Sequence, residues 1–441
     1  MVPPSLFSRP TLVLLIGWLC AFGFGLSERP AKGQTTQSTA KTECQDGTAD
    51  GYPCQNVNLL SHLPNGNLGG GALNDIWGWT DPETFTEYAI VARTSGMAFV
   101  DLSDPTNPVY LGSLPSNTSS STWRDVKVYQ NHAYVVSEAS GHGLQVFDLT
   151  QLRSVDDPPV AFVETAHYDR FGPAHNVAIN TESGYAYAVG VTGSQDVPSS
   201  ADCGAGLHMI DLSTPDDPQF AGCFNDLSTG GQVAQGYTHD TQCVMYQGPD
   251  TDYQGREVCF NANESQVNVA DVTDKDNVET ITNATYPRTG YTHQAWLTED
   301  QRYLYVDDET DEQRQASVEK TRTLVFDVAD LDNPELVKRF SGTTGAIDHN
   351  QYIKGHYSYQ ANYESGLRIL NVSNPDDPAE VGYFDTYPSA NSANFNGAWS
   401  NYPFFDSGIV IVSSIGEGLF VLEPTISFGA PTDLSAEGGV G

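Results

Sequence analysis

One short pattern repeats along most of this 441-residue chain and constrains its fold more than any other feature. Each copy starts with Gly or a polar residue, continues with four or five apolar or alternating residues and an Asp or Asn, and ends in a turn rich in Pro and Asp. The copies are GMAFVDLSDPTNPVYLG (96–112), GLQVFDLTQ (143–151), GLHMIDLSTPDDPQFAG (206–222), VNVADVTDKDNV (267–278), TLVFDVADLDNPELV (323–337), GLRILNVSNPDDPAEVG (366–382) and GLFVLEP (418–424). The pattern is typical of a strand, a tight turn and a second strand. We expect the closing Asp to accept backbone N–H bonds in the turn rather than to bind Ca²⁺.

A second pattern lies upstream of each copy and gives the repeat its length. It places Asp75, Asp125, Asn176, Asp240, Gln294, Asn350 and Trp399 at equivalent positions, with spacings of 50, 51, 64, 54, 56 and 49 residues. A strand rich in Tyr and Val, such as YAYAVG or YLYVDDE, separates the two patterns. Each unit thus holds four short strands in about 50 residues, which is typical of a propeller blade.

Seven such units occupy residues 56–424, but the last unit stops after its third strand. A substitute is present near the other end of the chain. There, NVNLLSHLP (56–64) parallels PVYLGSLP (108–115), the fourth strand of the first full unit. A ring closed in this way leaves no open sheet edge. The sequence therefore predicts an all-β, seven-bladed β-propeller, closed by an N-terminal strand that completes the last blade.

The two ends of the chain predict export and a short tail. The apolar run at 11–26 is short for a membrane span and, with the small-x-small motif at 31–33, predicts a signal peptide over 1–33. Residues 34–55 form a polar lead, and no second long apolar run follows, so we expect no transmembrane segment in the mature chain. The tail 425–441 contains APTDLSAE, which resembles the opening strand of a truncated fibronectin type III module.

Six cysteines follow the predicted signal peptide, and an even number in an exported chain favours disulfides. The simplest of the 15 connectivities pairs neighbours along the chain. The predicted pairs are Cys44–Cys54, Cys203–Cys223 and Cys243–Cys259. The alternative is zinc binding, for which the usual close Cys pairs are missing.

The charge balance excludes one class of partner. With 56 acidic and 20 basic residues, the formal net charge is −36, so the chain has no general basic field for nucleic acid. Such an excess of acid keeps a protein dissolved in high salt and predicts a salt-adapted host; an ordinary acidic secreted protein is the alternative. We expect a monomer located outside the cell, on the cell surface or in the periplasm of a bacterium.

Four of the predicted inner strands open on a His-x dipeptide, and these side chains are expected to surround one end of the central channel. Loops between second and third strands reach the same end and carry acidic residues. The candidate face consists of His175, Asn176, His239, Asp240, His293, Gln294, His349, Asn350, Asp307, Asp308, Glu309 and Glu138. Such groups suit a polar ligand or a divalent cation, either Ca²⁺ or a transition metal. The alternative is structural, since a His repeated at strand starts can bond the backbone of the next blade.

The acidic run DDETDE (307–312) offers carboxylate oxygens of the kind that Ca²⁺ prefers. It lacks the spacing of an EF-hand loop. In so acidic a chain, the preferred interpretation is a solvated charge run.

Long motifs also carry a family resemblance. They include CQDGTADGYPCQNVNLLSHLP (44–64), NDIWGWTD (74–81), YTHQAWLTEDQRYLYVDDETDE (291–312) and AWSNYPFFDSGIVIVSS (398–414). In these segments the chain resembles the bacterial LVIVD-repeat proteins of the "choice-of-anchor B" family. The resemblance implies an exported repeat propeller held at the cell surface by a C-terminal anchor, and it implies no established reaction. The chain departs from this pattern in showing no anchor.

Function is therefore left with alternatives. The sequence shows no nucleophile elbow, HExxH helix or phosphate-binding glycine loop, which favours a non-enzymatic binding or adhesion module for a protein or glycan of the cell envelope. The second hypothesis is a metal-dependent hydrolase or lactonase, with His239, Asp240, His293 and His349 around a divalent ion. A purely structural surface-layer component is the third. The fold hosts all three and does not decide among them.

Overall fold

The computed structural model describes residues 41–191 and 203–426, and their regular structure is almost entirely β-strand. The predicted signal peptide lies outside the described residues, as does most of the predicted tail. The short helical segments among the described residues are the 3₁₀ turns Asn65–Leu68 and Leu149–Ser154 and the α-helix Asp311–Arg314. Of these helices, none has the length and apolar character needed to span a bilayer.

The strands form seven antiparallel sheets, which we number as blades 1–7 and describe from the inner strand outward. Blade 1 consists of Leu73–Thr80, Glu87–Arg93, Gly96–Asp101 and Val109–Pro115. Blade 2 consists of Arg124–Tyr129, His132–Ser137, Leu144–Asp148 and Ala166–Tyr168. Blade 3 consists of Asn176–Asn180, Tyr185–Val189, Leu207–Asp211 and Gln219–Phe224. Blade 4 consists of Asp240–Met245, Glu257–Ala262, Val267–Asp271 and Glu279–Ala284. Blade 5 consists of Thr292–Leu297, Tyr303–Asp308, Arg322–Asp327 and Glu335–Ser341. Blade 6 consists of Gln351–Lys354, Tyr357–Ala361, Leu367–Asn371 and Ala379–Phe384. Blade 7 consists of Ala398–Tyr402, Val410–Ser414, Gly418–Pro424 and Val57–Leu63.

The inner strands form a ring. Each contacts the inner strand of the next blade, and that of blade 7 contacts that of blade 1. Apolar clusters fill the spaces between neighbouring blades; Ile76 and Val91 of blade 1, for example, pack with Ile411 and Leu419 of blade 7. The second and third strands are covered on both faces, which explains their nearly continuous apolar sequences. The prediction of an all-β, seven-bladed propeller is confirmed.

Short strands extend two of the blades beyond four strands. The lead segment supplies Thr48–Ala49 and Tyr52–Gln55, which continue blade 6 outward from Ala379–Phe384. Val160–Ala161 pairs in parallel with the outer strand of blade 1. Both additions cover an outer sheet edge that would otherwise be open.

In six of the seven blades the third strand ends in an Asp or Asn that closes the following turn. In six blades its side chain accepts a hydrogen bond from the backbone N–H two residues later, at 2.7–3.0 Å. The accepting side chains are Asp101, Asp148, Asp211, Asp271, Asp327 and Asn371. The predicted turn role of this position is confirmed.

The glycine that opens several repeats marks a close approach between backbones. A Cβ atom at Gly96 would lie 2.2 Å from the carbonyl oxygen of Leu114, and one at Gly418 would lie 2.1 Å from that of Leu63. Each carbonyl belongs to the blade's outer strand, and φ is +142° at Gly96 and +122° at Gly418, values that L-residues rarely adopt. Leu63 of the N-terminal strand thus occupies in blade 7 the position that Leu114 occupies in blade 1.

The disulfide pairing follows chain order. Cys44 is bonded to Cys54, Cys203 to Cys223 and Cys243 to Cys259, as predicted. In the oxidised protein these six cysteines are therefore disulfide-bonded and cannot supply the thiolates that zinc binding would need.

Candidate functional site

Four histidines lie in a row at the end of the channel where the inner strands begin, which we call the histidine end. His175 and His239 immediately precede the inner strands of blades 3 and 4, His293 lies at the start of that of blade 5, and His349 just precedes that of blade 6. Ring centroids are 4.3 Å apart for His175 and His239, and 4.2 Å apart for each of the next two pairs. The repeat thus brings the four predicted imidazoles into a continuous row.

Two of these histidines bond the backbone of the next blade. His239 Nδ1 lies 2.8 Å from the carbonyl oxygen of His293, and His349 Nδ1 lies 2.5 Å from that of Trp399. His175 Nδ1 instead lies 2.6 Å from Glu138 Oε1. The structural interpretation therefore holds for one nitrogen of His239 and of His349. Because Nδ1 must carry a proton to donate these bonds, Nε2 of a neutral ring is left with a free lone pair.

A second set of contacts joins the row to a carboxylate. Ligand atoms of His293, Glu309 and His349 all lie within 4.8 Å of one another, close enough to hold one metal ion. His349 Nε2 is 3.7 Å from Glu309 Oε1, which also accepts a 2.9 Å hydrogen bond from the Tyr363 hydroxyl. Of the four residues in the metal hypothesis, the structure brings His293 and His349 together and adds Glu309.

Burial decides the protonation of this region. It lowers the pKa of His349 to about 3 and, with help from neighbouring imidazoles, lowers the pKa values of His239 and His293 well below their usual range. Burial raises the pKa of Glu309 to about 7. Near neutral pH the three imidazoles are therefore uncharged and available as electron-pair donors.

The predicted amides make bonds between blades. The Asn176 side chain donates to the carbonyl oxygen of His239 at 3.2 Å, and that of Gln294 donates to Asp240 Oδ2 at 3.1 Å. The backbone carbonyl of Asn350 accepts a 3.3 Å bond from an asparagine of blade 7. These contacts are part of the ring's own construction.

The acidic run of blade 5 is not a solvated charge run, so that interpretation is wrong. Asp307, Asp308 and Asp311 are 0–1% exposed. Asp307 accepts from the backbone N–H of Gln294 at 2.8 Å, and Asp308 accepts from the N–H groups of the turn that precedes the inner strand. Arg322, more than ten residues downstream, bonds Asp311 through Nε at 2.5 Å and lies 3.5 Å from Asp308. A distant cation thus makes burial of these carboxylates tolerable.

A buried lysine lies farther along the channel, where the sequence analysis did not place a charge. Lys127 Nζ is 2.6 Å from Asp125 Oδ1, 3.1 Å from Asp75 Oδ2 and 4.7 Å from the centroid of the Trp77 ring. Burial opposes the charge, but Asp125 and Asp75 outweigh it and raise the pKa of Lys127 well above its ordinary value. The three groups form a buried ion cluster across blades 1 and 2.

Beyond this ion cluster the channel opens into a cavity of about 620 Å³, which we call the aromatic cavity. One side carries rings from blades 1, 5, 6 and 7, and the other carries the inner strands of blades 3 and 4. The ring-bearing residues are Trp77, Trp79, Trp296, Tyr352, Tyr402 and Phe404, and the polar ones include Lys127, Asn180, Thr181, Glu182, Asp240, Gln242, Gln294 and Gln301. Its volume lies within the range of small-molecule sites.

The rings pack edge to face around the cavity wall. Trp77 and Tyr352 have centroids 5.5 Å apart, and Trp296 and Tyr352 have centroids 4.9 Å apart, both at interplanar angles above 80°. Trp77, Trp296 and Phe404 keep part of their surface exposed, whereas Tyr352 is buried. Partly exposed rings held rigidly by neighbours form a surface on which a ligand can stack.

Sequence reasoning missed the aromatic cavity, although a signal was present. In a strand, alternate residues share a face. Two positions after four of the seven repeated residues, namely Asp75, Asp125, Gln294 and Asn350, come Trp77, Lys127, Trp296 and Tyr352. The residues two positions beyond the repeated polar residues in the inner strands therefore indicate this lining.

Asp240 allows a pH-dependent test. Burial raises the pKa of its carboxyl to about 6 from an ordinary value of 3.8, and Lys127 acts in the opposite direction. Because the folded protein holds this proton more tightly than the unfolded chain, the stability is complete below about pH 4 and falls as the pH rises through about 6. The loss is at most about 3 kcal/mol. Asp240→Asn removes it, so the variant should gain up to this amount over the wild type between pH 4 and pH 7 in urea denaturation.

The matched control is Asp377→Asn, at a side chain that is 83% exposed. Its stability relative to the wild type should be the same at pH 4 and pH 7. If the stability of Asp240→Asn relative to the wild type were also the same at pH 4 and pH 7, the ionised Asp240 carboxylate would not oppose folding.

Comparison with known families finds a named repeat in two of the blades. The LVIVD repeat family matches residues 86–115, in blade 1, and 351–386, in blade 6. The chain is thus a seven-bladed β-propeller that contains LVIVD repeats. No curated protein matches it.

Solved structures resemble the chain only distantly. The Pseudomonas aeruginosa periplasmic gluconolactonase PpgL is 12% identical, with a TM-score of 0.46, and the match covers 71% of this chain and 88% of that one. Kuenenia stuttgartiensis hydrazine synthase is 12% identical, with a TM-score of 0.49 and coverage of 78% and 94%. The β-propeller domain of Cps50 (Swd1) from Myceliophteria thermophila is 12% identical, with a TM-score of 0.46, and the match covers 77% of this chain and 94% of that one. Likeness at this level says nothing about activity.

Proposed function

We propose that this protein is an exported binding propeller that recognises a neutral glycan end in the aromatic cavity. The observation that carries the proposal is the lining of that cavity, in which partly exposed aromatic rings face amide and hydroxyl side chains across a space of about 620 Å³. Pockets of this size, with a few oriented polar groups among apolar rings, bind small organic ligands.

The rings and the polar groups suit a sugar in complementary ways. Trp296 and Phe404 offer flat apolar faces to the C–H face of a pyranose, while the Gln242 side-chain NH₂ and the Thr181 hydroxyl offer hydrogen bonds to its hydroxyls. A neutral ligand of this kind needs no compensating charge.

The charges of the cavity argue against an anionic ligand. Lys127 is already paired with Asp75 and Asp125, so its charge is compensated within the protein. Asp240 and Glu182 also line the space. An acidic sugar or a phosphate would meet uncompensated negative charge in a molecule whose net charge is already −36.

The proposed location is the outside of a bacterial cell. Three disulfides are typical of an oxidising compartment, and the predicted signal peptide over 1–33 gives a route to it. The resemblance to "choice-of-anchor B" proteins supports a cell-surface setting, where a glycan ligand would be abundant. A salt-adapted host remains the proposal for the acidic excess.

The test is binding of neutral oligosaccharides from cell-envelope glycans, screened on an array and measured by calorimetry. Trp296→Ala and Phe404→Leu should each weaken binding about tenfold or more, because each removes part of a stacking surface worth more than about 1.4 kcal/mol. Trp123→Ala is the control, since Trp123 lies at the histidine end, outside the cavity lining, and is 45% exposed. Thermal unfolding should show that all variants are folded.

Equal affinity in the wild type and Trp296→Ala would exclude the aromatic cavity as the binding site. The second candidate function, a metal-dependent hydrolase or lactonase, is favoured by the uncharged imidazoles beside Glu309. The same incubations decide between the two: chelator-sensitive turnover of a bound saccharide would favour the hydrolase, and stoichiometric binding without turnover would favour the binding module.

A further inference from the structure

A potential metal site lies at the histidine end, separate from the lining of the aromatic cavity. Ligand atoms of His293, Glu309 and His349 lie within 4.8 Å of one another, on blades 5 and 6. We propose that these three residues bind one divalent transition-metal ion.

His349 has the orientation expected of a metal ligand. Its Nδ1 lies 2.5 Å from the carbonyl oxygen of Trp399, which fixes the ring and leaves the lone pair on Nε2. Metal-binding histidines commonly donate the other ring N–H to a carbonyl or carboxylate in this way. Trp399 belongs to the next blade, so the ring is held by the propeller itself rather than by a loose loop.

Nε2 of His349 faces the Glu309 carboxyl across a gap that is too long for a hydrogen bond. It is 3.7 Å from Glu309 Oε1, and both atoms are electron-pair donors when the ring is neutral and the carboxyl ionised. The Tyr363 hydroxyl donates to Oε1 at 2.9 Å and orients the carboxylate. A cation between the two acceptors would turn a repulsive contact into two coordinate bonds.

His293 completes the set with a buried nitrogen that lacks a hydrogen bond. Its ring is 2% exposed, and Nδ1 has no hydrogen-bond partner among the described residues, although Asp307 Oδ1 lies 3.3 Å away. Centroids of His239 and His349 lie 4.2 Å from the His293 ring on either side, which limits its rotation. Burial of an imidazole whose Nδ1 has no hydrogen-bond partner is costly, and coordination of a metal ion by the ring would offset that cost.

The ligand set indicates the class of metal. Two imidazoles and one carboxylate suit Zn²⁺ and similar transition metals, whereas Ca²⁺ takes six to eight oxygens. Three protein ligands leave one tetrahedral position for water or another small ligand. Glu309, whose side chain is 16% exposed, provides the contact with solvent through which an ion can enter.

The test is titration of Zn²⁺ into chelator-treated, non-reduced full-length protein by calorimetry, with Co²⁺ spectra as a second measure. The wild type should bind one ion per chain at this site, and bound Co²⁺ should show visible bands of a site with nitrogen ligands. Glu309→Gln and His349→Gln should weaken Zn²⁺ binding by more than the roughly 10–100-fold that loss of an outer-shell contact costs. Glu309→Gln preserves shape, so a folded variant is expected.

The matched control is His175→Gln, which removes an imidazole from the same row without touching the proposed ligands. The His175 ring lies next to His239, and its Nδ1 is 2.6 Å from Glu138 Oε1. This variant should still bind one Zn²⁺ per chain, with a change in affinity far smaller than that of Glu309→Gln. No Zn²⁺ binding by the wild type would overturn the proposal, as would unchanged Zn²⁺ affinity in Glu309→Gln, which would place the ion elsewhere on this acidic surface.

Discussion

Replacement of Lys127 by methionine is expected to lower the free energy of unfolding at pH 7 by about 3–5 kcal/mol, the usual cost of leaving a buried charge without its partner. The Lys127 side chain is only 14% exposed, and its Nζ lies 2.6 Å from Asp125 and 3.1 Å from Asp75. Methionine keeps an unbranched apolar side chain at this position but removes the ammonium group over Trp77 and leaves two adjacent carboxylates with no counterion. Urea denaturation followed by tryptophan fluorescence measures the loss.

The pH dependence separates a charge effect from a packing effect. Burial already raises the pKa of Asp75 well above its ordinary value while Lys127 lowers it, so removal of Lys127 should raise it further. Protonation at pH 4 then removes much of the repulsion. The difference between the wild type and Lys127→Met should therefore be smaller at pH 4 than at pH 7.

Two further variants serve as controls. Lys338→Met removes a lysine whose nearest carboxylate, on Asp377, is 4.0 Å away at the surface, and it should change stability by no more than about 1 kcal/mol. Adding Asp75→Asn and Asp125→Asn to Lys127→Met should recover most of the lost stability, because replacing a whole buried ion group is often nearly neutral. A Lys127→Met protein as stable as the wild type would mean that the ion cluster does not stabilise the fold.

The architecture was largely predictable from the sequence because a propeller repeats one local solution. The alternating strand, the Asp that closes the turn and the opening glycine each have a local cause, and each recurs about every 50 residues. The added strands could not be found in this way. Tyr52–Gln55 and Val160–Ala161 are too short to show periodicity, and their pairing depends on a sheet edge made elsewhere in the chain.

The sequence predicts where the four histidines lie, but not which atoms they contact. Strand starts place His175, His239, His293 and His349 at one end of the channel, but the sequence does not say which atoms meet. That Nδ1 of His349 bonds Trp399, and that Nε2 faces Glu309, depends on the offset between neighbouring blades. Burial of the acidic run was equally out of reach, because its compensating charge, Arg322, lies outside the run, immediately before the repeat copy at 323–337.

The second large effect is expected at Gly418, where the third strand of blade 7 meets the N-terminal strand. Gly418→Ala should lower the free energy of unfolding by about 3 kcal/mol, because the new Cβ would lie 2.1 Å from the carbonyl oxygen of Leu63 and the backbone has φ of +122°. Two backbones would have to separate at the pairing between Val57–Leu63 and Gly418–Pro424. Thermal or urea unfolding of the full chain measures the loss.

The control lies two residues away and isolates the contact from the substitution. A Cβ at Gly416 would have no atom within 4 Å, so Gly416→Ala should be neutral or slightly stabilising. Gly96→Ala, which would press on Leu114 in blade 1, should cost about as much as Gly418→Ala if the N-terminal strand is an ordinary outer strand. A large loss at Gly96 with none at Gly418 would mean that the N-terminal strand is readily displaced from blade 7. Equal losses would mean that it is held there as firmly as an outer strand within a continuous blade.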